Sequence, residues 1–179
     1  MVQTIARGGC RVVLTAPSNA AVANLALKIH SSSHFRMEHT VVFGQNCDES
    51  VRFLNPYHRG IEFNKFMKVY TRLTDDAKRD AARNKFASWL KLDSNCTTIE
   101  DLARRCPYIN LDEKSGRGLF DTLLSSATVI FCTLNSSGSN MLRNAVGRDF
   151  STLILDEAGQ CPESGEQHLP LHLIISLHA

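Results

Sequence analysis

"LILDEAGQCPES", residues 153–164, sets three apolar residues directly before two adjacent carboxylates. Leu153, Ile154 and Leu155 lack the polar alternation of a half-exposed strand, so they read as the end of a strand buried on both faces. Asp156 and Glu157 then stand at its carboxyl end. In a parallel α/β sheet that end faces the ligand. One carboxylate there can hold Mg2+ against phosphate oxygens, and a second beside it can orient and deprotonate a water. Alone, the dipeptide is more often a solvated strand end or a helix cap, so its meaning depends on the rest of the chain.

"STLILDE", residues 151–157, completes this strand. "TVIFCTL" at 128–134 is another, followed by a Ser/Gly-rich loop, "NSSGSN", and a short helix at Met141–Ala145. Near the start, "RVVLT" at 11–15 is a β-branched run stopped by Pro17, and Ser18 or Asn19 can cap a helix there. Val22, Leu25, Ala26 and Ile29 recur at helical spacing. "TVVF" at 40–43 and "LIISL" at 173–177 complete the strands. Continuous apolar strands alternating with helices predict an α/β fold with a parallel sheet covered on both faces.

Residues from about 50 to 126 interrupt this pattern with a mainly helical block. Phe63, Phe66, Met67 and Tyr70 mark one helical face; Ala82, Phe86, Trp89 and Leu90 mark another. Thr97 and Glu100 have capping-box spacing before Leu102, Ala103 and Cys106, and Pro107 ends that helix. "DEKSGRG" at 112–118 is a polar loop.

The 179 residues suffice for one domain with a core, and 43% hydrophobic and 21% charged residues are ordinary for a globular protein. The net charge of +2 does not by itself point to nucleic acid. Six scattered cysteines form no C-x-x-C pair, and free thiols fit a reducing compartment. No apolar run approaches the ~20 residues of a bilayer span, and no signal peptide opens the chain. A nuclear or cytoplasmic protein without membrane contact is expected. His30 with His34 and His168 with His172 are each four apart, but no carboxylate or cysteine completes a zinc set.

"LTAPSNAAVANLALKI" ends a strand and opens a helix at once, where backbone N–H groups beside Ser and Asn suit a phosphate. An ordinary N-cap is the plainer reading of that stretch alone. Taken together, "RVVLTAPSNAAVANLALKI", "SATVIFCTLNSSG" and "FSTLILDEAGQCPES", in that order, resemble the superfamily 1 helicases, in the branch containing senataxin and the nonsense-mediated-decay RNA helicase. The first resembles motif Ia, the second the motif Ic region, and the third motif II in its DEAGQ form. Together they cover roughly a quarter of the chain, and their joint occurrence is more specific than any one of them.

The resemblance implies a partial P-loop NTPase fold: a RecA-like parallel sheet flanked by helices, spanning 1–179 with a helical insertion at about 50–126. It implies Mg2+ and ATP as cofactors and single-stranded RNA or DNA as partner. Asp156 resembles the Mg2+ ligand, Glu157 the catalytic base, and Gln160 the glutamine linking the nucleotide site to the core. Pro17, Ser18, Asn19 and Thr133, with Ser136 or Ser137, match residues lining the nucleic-acid path. Ala23 departs from the pattern, since many relatives carry an acid there.

No G-x-x-x-x-G-K-[ST] phosphate loop occurs in the sequence. "VQTIA" at 2–6 resembles the later part of the helix that comes after that loop, so the chain is expected to begin just after the phosphate cradle and to stop before motif III and the second RecA-like domain. Uncovered strand edges that could pair with other protein chains are then expected. Two alternatives to an active helicase core stay open: a non-catalytic nucleic-acid-binding or interaction module derived from a helicase, and a degenerate truncated product. Within the insertion, residues 61–91 hold eight basic side chains against four acidic ones. That excess suits a surface that grips nucleic acid, or amphipathic helices with solvated charged faces; aromatics at core spacing favour the second.

Overall fold

Five strands form one parallel sheet in the order β2-β3-β1-β4-β5: β1 Arg11–Ala16, β2 Thr40–Val42, β3 Val129–Thr133, β4 Phe150–Asp156 and β5 Leu173–Leu177. The computed structural model describes residues 11–31, 39–44, 46–92, 98–106, 124, 126–140, 142, 144, 150–156 and 173–177. Every pairing is parallel. The apolar runs explain why. Val12, Val13, Leu14 and Ala16 of β1 are at most 1% exposed, and so are Ile130, Phe131 and Cys132 of β3. A strand apolar on both faces needs cover on both, which parallel crossovers supply.

The chain divides into two units, Met1–Asn55 with Asp121–Ala179, and Pro56–Phe120. In the sheet unit, α1 (Asn19–His30) comes directly after β1 and buries Val22, Ala23 and Ala26. Ala23, where many helicases of the resembled branch carry an acid, is thus a core residue here. A 3-10 helix, Glu49–Leu54, buries Val51, Phe53 and Leu54, and Phe53 meets the His30 ring edge-on at 5.3 Å. Arg11 ties the start of β1 to the segment before β3, donating from Nε to the Ala127 carbonyl and from Nη2 to the Leu124 carbonyl.

The helical unit holds α2 (Pro56–Tyr70), α3 (Asp76–Trp89) and α4 (Ile99–Arg105). Phe66 stacks on Phe86 at 4.7 Å, Phe63 lies 5.9 Å from Phe86, and Phe86 stacks on Trp89 at 5.6 Å. The aromatics therefore pack α2 against α3, as their spacing predicts. Arg59 is 2% exposed, and its guanidinium donates to the Arg105 carbonyl at 3.1 Å. That carbonyl belongs to the last residue of α4, where unpaired C=O groups and the negative end of the helix dipole accommodate a buried cation. Desolvation still pushes the Arg59 pKa down to about 10.

Three local expectations shift. The capping box of α4 is made by Thr98 and Asp101, one residue beyond the Thr97 and Glu100 pair. Asp101 accepts from the Thr98 N–H and hydroxyl, while the Thr98 hydroxyl oxygen accepts from the Asp101 N–H. Both pairs have the same spacing, but Asp101 also sits beside Arg104 in the last turn. The start of "NSSGSN" is not loop: Leu134–Ser137 form one helical turn, α5, because the Thr133 side chain caps it. β1 also runs one residue further than its apolar run suggests, to Ala16. Asn140, Leu142 and Asn144 have helical backbone, while the rest of the Met141–Ala145 expectation, Pro107 and the 112–118 loop lie outside the described residues.

Candidate functional site at the carboxyl edge of the sheet

Asp156 is the last residue of β4 and is half-buried. Leu153, Ile154 and Leu155 before it are at most 2% exposed, so the strand is anchored and its terminal carboxylate is delivered at a fixed place. β4 lies between β1 and β5, with Thr15 paired to Leu155 and Asp156 to Leu177. Ala16, the end of β1, pairs on its other side with Thr133, the end of β3. Three adjacent strands thus bring Asp156, the Pro17-Ser18-Asn19 turn and Thr133 to one edge.

Ser18 caps α1: its side chain accepts the Ala21 N–H at 3.1 Å, and its carbonyl accepts the Val22 N–H. Asn19 opens the helix and is exposed, while Pro17 is half-buried. The plain N-cap geometry and a phosphate-facing edge coexist here, because a capped 12-residue helix still directs its positive end at the carboxyl edge. Thr133 repeats the device on the neighbouring strand. Its hydroxyl accepts the Ser136 N–H at 3.3 Å and lies 2.9 Å from the Ser136 hydroxyl. Ser136 is half-buried, whereas Ser137 is buried and donates to the Leu134 carbonyl. Of the two candidate serines, Ser136 is the one with access to the edge.

Glu157 and Gln160 lie outside the described residues. Among the described residues Asp156 forms no ion pair. It is a hard oxygen donor of the kind Mg2+ takes, and one such carboxylate beside substrate phosphates is a common Mg2+ arrangement. Among the described residues no group of three His, Cys, Asp or Glu side chains could hold a metal without a ligand.

Two residues that no motif marks, Thr15 and Gly44, also stand near this edge. Thr15, one residue short of the edge on β1, is 1% exposed with an unpaired hydroxyl. In "RVVLT" it looks like one more β-branched strand residue, and only the register reveals its place. Gly44 lies just beyond β2 at the same edge with φ +139°, which favours glycine, and its carbonyl accepts the Asn55 side-chain amide at 2.7 Å.

Comparison with known families fits this geometry. The model of an AAA domain family matches residues 64–172, more than half of the chain, from within α2 through β3 and β4. No curated protein matches the chain. The chain belongs to this AAA domain family, a helicase-associated domain of superfamily 1 helicases. Its fold is the α/β, RecA-like P-loop type, with a parallel sheet and flanking helices. No described helix is long and apolar enough to cross a membrane.

Proposed function

We propose that the chain is the part of an ATP-dependent RNA or DNA helicase core that runs from motif Ia to motif II, in the branch of senataxin and the nonsense-mediated-decay helicase. What supports this reading is the sheet order. It sets the metal-type carboxylate of β4 beside two hydroxyl-bearing turns on β1 and β3, all at the ligand edge. Asp156 would hold Mg2+, which when bound neutralises nucleotide phosphate charge. Glu157, next along the chain, accepts a proton from the attacking water and orients it. Gln160 links this site to the rest of the core. Pro17, Ser18, Asn19, Thr133 and Ser136 line the path of a single strand, where capped turns present hydroxyls and amides to the sugar-phosphate backbone.

A second reading is favoured by one specific observation: no G-x-x-x-x-G-K-[ST] occurs among the 179 residues. Without the amide nest and lysine of such a loop, triphosphate affinity is low. On that reading the chain by itself binds nucleic acid without turning over ATP. Both readings predict that the purified chain binds a labelled single-stranded oligonucleotide at low salt. Asn19→Ala with Ser136→Ala should weaken that binding several-fold. Absence of binding at low salt would remove the nucleic-acid path from both.

A further inference from the structure

Charge is unevenly divided between the two units. Pro56–Phe120 carries thirteen Lys and Arg against nine Asp and Glu, net +4; the remaining residues carry seven against nine, net −2. Much of the positive charge of α3 is answered locally, since Arg79 pairs with Asp76 and Arg83 with Asp80. The C-terminal half of α2 differs. From Phe63 to Thr74 there are three cations, Lys65, Lys68 and Arg72, and no acid. All three are exposed; Lys65, Lys68 and Val69 lie at i, i+3 and i+4 on one face of α2, and Arg72 stands in the turn that follows Tyr70. Val69, 58% exposed, sits between them as the most exposed large hydrophobic residue described. Lys65 bonds Glu62 one turn earlier, an exposed pair that a phosphate can displace at little cost. The opposite face, Phe63, Phe66 and Tyr70, is occupied: Phe63 and Phe66 pack on Phe86, and Tyr70 packs on Phe66.

We infer that Lys65, Lys68 and Arg72 form a second nucleic-acid contact, separate from the sheet edge, that grips the phosphate backbone of a strand and does not read its bases. The inference rests on the reading that nucleic acid is the polymer bound. Three cations from Lys65 to Arg72, at the end of α2 and in the turn after it, match a short run of phosphates. Val69 supplies apolar contact for sugar. Phe63, Phe66 and Tyr70, the aromatics of this half of α2, are engaged in packing, so the contact offers no ring there for stacking bases.

The test is fluorescence anisotropy of the full chain with labelled single-stranded oligonucleotides, titrated from about 50 to about 200 mM salt. Lys68→Gln with Arg72→Gln should leave thermal unfolding unchanged and flatten the log–log salt slope by about 1.4, or ~0.7 for each phosphate no longer neutralised. The weakening should be equal for oligothymidine and oligoadenosine. Lys78→Gln with Lys85→Gln removes the same charge from α3 and should move the slope far less. An equal change from the α3 pair would reduce the effect to net charge and overturn the inference. An unchanged slope in the α2 pair, with binding still weakened by Asn19→Ala and Ser136→Ala, would overturn it and leave the sheet-edge reading standing. Failure of the unaltered chain to bind would overturn both.

Discussion

His30, at the last position of α1, shows how one half-buried side chain couples this sheet unit to pH. Its ring packs edge-on to Phe53, and its Nδ1 is buried without a partner. Burial lowers its pKa below the ordinary histidine value. The unfolded chain therefore takes up the proton first as pH falls past about 6.5, and stability present above that pH is lost as it falls through the folded-state pKa. His30→Phe should keep the packing and shrink the drop in Tm between pH 7.5 and 5.5, values taken about one unit either side of that ordinary pKa. An equal drop in both proteins would assign the pH dependence elsewhere. At the same scale, Cys132 and Cys106 are buried thiols pushed up to about 12 by desolvation. They behave as apolar core residues, not as reactive groups.

At the scale of elements, strands and packing faces were legible and terminal details were not. β2, β4 and β5 match their apolar runs within a residue. The aromatic faces of α2 and α3 also came from spacing. The start of α4 did not, because Thr97–Glu100 and Thr98–Asp101 satisfy the same pattern and only the backbone chooses between them. This has a measurable consequence. Thr98→Ala should cost about 1 kcal/mol in chemical denaturation. Glu100→Ala should stay within about 0.5 kcal/mol, as an exposed substitution outside the box does. Equal costs would contradict the observed cap. In the candidate site, Asp156 and the turn after Pro17 were legible because strand ends carry strong signals. Thr15 was not, since its position depends on the parallel register of two partners distant in sequence.

For the whole molecule, topology turns scattered motifs into one site. Motifs separated by more than a hundred residues end on adjacent strands, because β3 and β4 pair on either side of β1. The helical unit, between them in sequence, adds positive charge, and its described residues form no strand. We propose Asp156 and Glu157 as the metal and base positions of a helicase ATPase site. This assignment is tested most directly by Mg2+-ATP turnover, with single-stranded RNA present, in the protein that joins this chain to a phosphate-binding loop. Glu157→Gln is predicted to lower turnover by at least about a hundredfold while nucleotide affinity stays unchanged; turnover retained in that variant would contradict the account.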